Sequence, residues 1–333
     1  MDNDNENHIE EKLAEAKSEI SSTTRKKEYF SYFLYVFSQF IWTIQGLQLK
    51  SFYSLYSSVY EINSFVFWRH LAVSITGYIF IKYKKINFKY PSLIQYKTWF
   101  YIRNVGIYIC IYTWMQVLGV FRLSTCQILG GLCPMFTILY SIIFLKEKFH
   151  AIYAIGIIIC FIGSAMIILN ERKPETEESN TDIESNSERI WIGIISLIIN
   201  VNLFALGNVG QKFLCNEKLT AEEQSFYFGF YTVFISGAFC LWNLNFGQSN
   251  LGYVLYSLLN GVIFYFCYYV TTISFSGILD ISKLQPISYL STILIVLSGT
   301  IIFHESLYFT DILGASMIVG FIIYNGMHPV KSK

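Results

Sequence analysis

Residues 118–149 read LGVFRLSTCQILGGLCPMFTILYSIIFLKEKF, and residues 276–307, 158 positions later, read SGILDISKLQPISYLSTILIVLSGTIIFHESL. In this one register Gly119 meets Gly277, Ser124 meets Ser282, Gln127 meets Gln285 and Glu147 meets Glu305. Working outward, the same offset brings Thr113 onto Thr271 and Gly156 onto Gly314. Nearer the start of each half, an offset of 162 pairs Lys50 with Lys212 and Glu61 with Glu223, a loop-sized difference. Apolar identities would mean little in so apolar a chain, so the weight falls on these polar and glycine pairs. The sequence reads as a duplication.

Each apolar run is long enough to cross a bilayer. About 20 mostly apolar helical residues span the hydrocarbon, and the backbone must pair its own amides there because lipid offers no partner. Ten such segments are expected, at about 29 to 49, 59 to 81, 98 to 119, 123 to 145, 150 to 169, 190 to 211, 223 to 243, 251 to 273, 281 to 303 and 307 to 327. Five spans per half is an odd number, so the second copy enters the membrane the other way up. The fold class expected is an all-α integral membrane protein of about ten transmembrane helices arranged as two inverted five-helix repeats.

The expected organisation is a polar tail over 1–28, a first repeat over 29–169, an acidic linker over 170–189, a second repeat over 190–327 and a short tail over 328–333. The tail at 1–28 mixes Asp, Glu, Asn, Lys and Ser with no apolar core, so it is expected to be unstructured, with insertion beginning at the first hydrophobic helix. Basic residues favour the cytoplasmic side. With the amino terminus inside, Arg25, Lys26, Lys27, Lys82, Lys84, Lys85, Lys89, Lys97, Lys146, Lys148, Lys212, Lys218, Lys283, Lys331 and Lys333 lie inside, against Lys50, Arg122, Arg172, Lys173 and Arg189 outside. Both termini are therefore expected in the cytoplasm; endomembrane and plasma membrane both remain open.

Composition agrees: 53% of residues are hydrophobic and only 14% are charged, where soluble proteins carry about 25% charged residues. A formal net charge of +1 gives no electrostatic footprint for nucleic acid. The seven cysteines are scattered without a C-x-x-C pair, so neither a metal site nor a disulfide framework is expected. No cofactor motif is found; the expected partners are a small-molecule solute and the lipid bilayer. Gly314, Ala315, Ser316 and Gly320 form a small-residue face that suits close packing within the bundle or in a homodimer.

The stretch from Arg103 to Gly156 runs R-N-V-G, L-G-V-F-R-L-S-T-C-Q-I-L, C-P-M-F-T-I-L-Y-S-I-I-F-L-K-E-K-F and then a glycine-containing helix. It resembles the drug/metabolite transporter superfamily, in particular the EamA-type domain, with a fainter echo in the second half. The resemblance implies a ten-helix bundle with a central cavity and alternating access. Members carry nucleotide sugars, amino acids, phosphorylated sugars, purines and other metabolites. Pro134 departs from the repeat, because Thr292 stands at the equivalent position and Pro286 lies six residues earlier.

Among individual residues, Arg69 falls near the middle of the second span. An ionised side chain there costs on the order of 3 kcal/mol by insertion scales, which marks it for solute contact or for a structural pair with Glu61. Arg103 lies nearer one end of its span, where it can either face the cavity or snorkel. Gln127 and Gln285 offer amides that both donate and accept, to a solute or to a neighbouring helix. Trp114 and Tyr289 are candidate cavity walls. Glu61, His70, Glu147 and Glu305 are candidates for gating or coupling, His70 because imidazole titrates near neutrality; the alternatives are helix-end acids and a packed histidine.

These features point to a secondary transporter of a small organic metabolite, leaning to anionic or zwitterionic solutes. The alternative is a non-transporting sensor or scaffold with a transporter fold. An enzyme is not expected, since no G-x-S-x-G occurs and only His70 lies well within a span. An ATP-driven pump is disfavoured by the lack of G-x-x-x-x-G-K-[ST].

Overall fold

The structure, a computed structural model, describes residues 3–55, 59–121, 123–147, 155, 158–159, 162–163, 166, 180–242, 251–277, 280–302, 304 and 308–327, with backbone alone over 3–25 and 180–187. Among the described residues every regular element is helical. The elements are α1 (Asn3–Leu55), α2 (Val59–Tyr83), α3 (Lys97–Val120), α4 (Leu123–Gly130), α5 (Cys133–Phe144), α6 (Asn180–Asn216), α7 (Ala221–Trp242), α8 (Leu251–Ser276), α9 (Tyr289–Ile302) and α10 (Phe309–Met327). Short 3-10 turns occupy Pro91–Leu93, Ile281–Lys283 and Gln285–Ser288.

Among the described residues, four helices are long and apolar enough to cross a membrane: Ile62–Tyr83, Glu188–Asn216, Ala221–Trp242 and Leu251–Ser276. Shorter apolar helical stretches cover Ile128–Phe144, which includes the turn at Gly131 and Leu132, Leu290–Ile302 and Ile312–Phe321. The expected first and third spans coincide with α1 and α3, whose hydropathy is lowered by buried polar residues such as Gln39, Gln45, Arg103 and Asn104. Most of the expected fifth span lies outside the described residues.

Two expectations change. The segment 1–28, read as an unstructured tail, is helical from Asn3, as a continuation of α1. Its stretch Ile9 to Lys17 is made of Glu, Lys, Leu, Ala and Ile, mostly strong helix formers, so a polar composition here does not prevent helix. Likewise α6 reaches back to Asn180, into the expected linker.

The fourth span, read as one helix, is two. Gly131 and Leu132 donate to Ile128 and Leu129 at 3.1 and 3.0 Å, which tightens the end of α4 into a 3-10 turn. Pro134 then opens α5 at a position where its missing N–H costs nothing. The ninth span begins with the two 3-10 turns around Pro286, and regular helix starts only at Tyr289.

The main partnerships join the two halves. Helix α3 lies along α6 and α1 along α8; α2 packs on α7 and α8, and α3 also on α7; α4 meets α9. Exchanging α1, α2 and α3 for α6, α7 and α8 maps their pairs onto themselves, and α4 meets α9 as the 3-10 turns over 281–288 meet α5. The registers agree as well: α4 and the Ile281 turn start 158 residues apart, and α5 and α9 end 158 residues apart. Beyond those ends Lys146 and His304, again 158 apart, take φ values of 58° and 53°. Lys85 and Lys218, just past the ends of α2 and α6, take the same left-handed conformation with φ of 53° and 61°, so it is a recurrent way for these helices to end.

Glycines set the closest crossings. A Cβ on Gly229 would stand 2.7 Å from the Ser74 nitrogen, and one on Gly261 would overlap the Arg69 carbonyl. These small residues draw α7 and α8 onto α2. On one face of the bundle the turns after α2 and α6 are joined: Lys84 pairs with Glu222 at 2.5 Å and Lys89 with Glu217 at 3.6 Å. Glu223 closes a capping box with Thr220 at the start of α7 and accepts the Lys89 N–H at 2.7 Å. Large apolar side chains, among them Phe33, Phe37, Phe234, Trp242 and Phe309, cover the outside of the bundle.

Candidate solute-binding site

A cavity of about 200 Å³ lies between the halves, walled by α1, α3, α6 and α8 and by the breaks that precede α5 and α9. Its lining repeats. Trp42, Gly46 and Leu49 line it from α1, and 162 residues later Phe204, Asn208 and Gln211 line it from α6. Gly130, Cys133 and Pro134 line it at the first break, and 158 residues later Ser288, Ser291 and Thr292 line it at the second. Non-helical backbone at membrane depth is tolerated where it borders such a cavity.

Arg69 and Arg103 both reach this space. Arg69, on α2, is 1% exposed; its Nη2 donates to Gln45 Oε1 at 3.1 Å and its guanidinium lies 4.0 Å over the ring of Phe264. Gln45 is itself held by the Asn260 carbonyl at 3.1 Å. Arg103, on α3, is 3% exposed; Nε donates to the Tyr268 hydroxyl at 2.9 Å and Nη2 to Gln211 Oε1 at 3.0 Å. Its guanidinium lies 4.7 Å over the Tyr268 ring. Among the described residues, Nε and Nη1 of Arg69 and Nη1 of Arg103 have no acceptor. Gln285 also lines the cavity, 1% exposed, with its Nε2 lacking an acceptor among the described residues.

Of the residues singled out in the sequence, the cavity therefore gathers Arg69, Arg103, Gln285 and Trp114. The side chains of Gln127, Tyr289 and Glu61, and Glu305 as a whole, lie outside the described residues. His70 is buried beside the cavity and not in its lining. Its Nδ1 is 2.8 Å from the Val66 carbonyl and its ring meets Phe228 and Phe264 edge-on. Glu147 stands at the end of α5, where it accepts from the Ser141 hydroxyl at 3.0 Å and from the Ile281 N–H at 3.1 Å.

Tyr35 and Phe275 of the lining, their rings 5.8 Å apart, pack with Val209, Ile281 and Leu284 into an apolar floor on the side of the Ile281 turn that Glu147 holds. Lys212 Nζ donates to the Phe275 carbonyl at 3.1 Å beside it. Sequence reading missed the amides that complete the site: Gln39 and Gln45 on α1, and Asn200, Asn208 and Gln211 on α6. Their signal was present as amide side chains recurring inside two apolar spans.

An α-helical bundle with spanning helices, broken helices at its centre and a polar cavity where two sets of elements meet is the architecture of membrane transporters. Residues 29–169 match the EamA-like transporter family, of the drug/metabolite transporter superfamily, so the likeness read from Arg103 to Gly156 is met by an independent comparison. A solved crystal structure described only as "Crystal structure of protein" superposes with a TM-score of 0.62 at 12% identity, covering 91% of this chain and 99% of that one. That likeness extends the fold across both halves. A comparison with curated sequences finds no match. The apolar helices and this likeness over residues 29–169 support an integral membrane protein, similar in that segment to a family of transporters.

Proposed function

We propose that the protein is a secondary carrier that moves a small anionic or zwitterionic organic solute by alternating access between two inverted five-helix halves. The observation that carries this reading is the cavity between the halves, into which two buried arginines bring N–H groups that lack a described acceptor. Cations at this depth are costly unless paired, and a solute anion is the natural partner. Support for the inverted halves comes from the exchange of helix partnerships, the matched helix ends and the repeated lining. Support for alternating access comes from the floor beneath the cavity, where Glu147 of the first half holds Ile281 of the second. Arg69, Arg103, Gln285 and Trp114 would contact solute, joined by Gln127 and Tyr289 if the repeat holds, while Glu147 and Glu305 would latch opposite faces. Both termini would then face the cytoplasm.

Reconstitution into liposomes tests the proposal. Purified protein should exchange labelled organic or amino acids against the same unlabelled solute inside, and Arg69→Gln should lose that exchange while retaining its thermal transition. No exchange of any organic acid, amino acid or sugar phosphate, with or without a pH gradient, would count against a carrier and favour a sensor of transporter fold.

A further inference from the structure

We infer that the solute is an organic dianion whose two charged groups lie about one helical turn apart, which narrows the reading above and rests on it. The two guanidiniums are mounted alike. Arg69 stacks on Phe264 and Arg103 on Tyr268, successive turns of one face of α8. Four residues of helix rise about 6 Å, so the two positive centres are spaced on that scale along the cavity. Each is aimed by one glutamine, Gln45 for Arg69 and Gln211 for Arg103, and a neutral amide orients a guanidinium without cancelling its charge.

The sign of the lining separates a dianion from a zwitterion. Among the described residues that line the cavity, the charged ones are Arg69 and Arg103, and none is Asp or Glu. The ion pairs found among the described residues lie elsewhere, at Lys84–Glu222 and Lys89–Glu217. An amino acid brings an ammonium that finds no described carboxylate and faces two cations, whereas a dianion neutralises both. Size narrows the class further. About 200 Å³ falls short of the roughly 300 to 1,000 Å³ typical of drug-sized ligands, which favours a short dicarboxylate or a phosphorylated small acid over a nucleotide sugar. The hydroxyls of Ser288, Ser291 and Thr292 on one wall suit a hydroxylated backbone.

The test uses the full chain and two readouts. In proteoliposomes, exchange is measured for unbranched dicarboxylates from malonate to adipate, the monocarboxylates of equal length, alanine, glutamate and glycerol phosphate. In detergent, thermal stabilisation is measured with the same compounds. The expected result is a maximum at four or five carbons, at least tenfold above the matched monocarboxylate, with glycerol phosphate reporting whether phosphate replaces one carboxylate. Arg69→Gln and Arg103→Gln should each remove that tenfold preference, and Arg103→Lys, which keeps the charge, should retain part of it if the glutamine variants fold poorly. Exchange of a monocarboxylate or alanine at the rate of the best dianion would overturn the dianion and leave the carrier standing. Stabilisation by the dianion without exchange would keep the dianion site and remove the carrier. No exchange and no stabilisation by any dianion would remove both.

Discussion

The carboxylate of Glu147, at the end of α5, accepts the backbone N–H of Ile281 at 3.1 Å, so one side chain of the first half caps the opening turn of the element that leads into α9. Its other oxygen takes the Ser141 hydroxyl. Hydrogen bonds to charged groups contribute about 1.5 to 3 kcal/mol. In Glu147→Ala, amide hydrogen exchange over residues 280–288 should accelerate by about tenfold, read by mass spectrometry. Unchanged protection there would mean that this contact does not hold the floor closed.

Gln211 orients Arg103 and donates to Thr272 Oγ1 at 2.5 Å. Gln211→Glu should place an internal counter-ion on Arg103 without changing the shape of the site, and an opposite charge within a few ångströms favours the charged form of both groups. The expected outcome is a folded protein whose transport and solute-dependent stabilisation fall at least tenfold. Undiminished transport would show that Arg103 does not meet the solute.

The α2 to α8 crossing predicts a contrast between two glycines. Gly261→Ala would drive a methyl into the Arg69 carbonyl and within 2.8 Å of the Ala72 Cβ, whereas no described residue lies within 4 Å of a Cβ on Gly320. Overpacking typically costs about 1 to 3 kcal/mol. The melting temperature in detergent should drop for Gly261→Ala and stay within error for Gly320→Ala. Equal behaviour of the two would contradict the close crossing.

At the joined turns, the hydrogen bond from Lys84 to Glu222, and then the one to Tyr269, hold the ammonium above its ordinary range. A raised folded value means that the stabilisation is complete below about pH 10.4, the unfolded lysine value, and fades as pH climbs through the folded value. The side chain of Lys84 is 41% exposed, so the contribution should not exceed about 1 kcal/mol. Native protein should melt above Lys84→Met at pH 8, and the gap should close as pH rises past the ordinary lysine value of about 10.4. A gap that widened with pH would reverse the assignment.

Much of this was legible beforehand, and the gaps have physical causes. The sixth, seventh and eighth spans were plain because they are long apolar runs, whereas the second is interrupted by Glu61, Arg69 and His70. Arg69 and Arg103 stood out because an arginine in such a run requires a reason. Gln45, Asn208 and Gln211 did not, because an amide in a span is as readily an interhelical hydrogen bond as a site residue. The breaks before α5 and α9 were hidden for another reason. Apolar residues alternate no differently in a bent span than in a straight one, and Pro134 and Pro286 are tolerated where a helix begins. The helical tail from Asn3 was misread because polarity argued for disorder while propensity argued for helix.

Both arginines belong to the first half, on α2 and α3, and the positions that the repeat assigns to their mates hold Tyr231 and Gly261. The rings beneath them, Phe264 and Tyr268, belong to the second half. The charge thus comes from the segment before residue 170 and the aromatic platform from the segment after it. On the carrier reading, cargo bound by such a pair stays electrostatically tethered to one half while the other slides past. Half-saturating concentrations measured from opposite sides of the membrane should then differ, a polarity of transport built into a pseudo-symmetric scaffold.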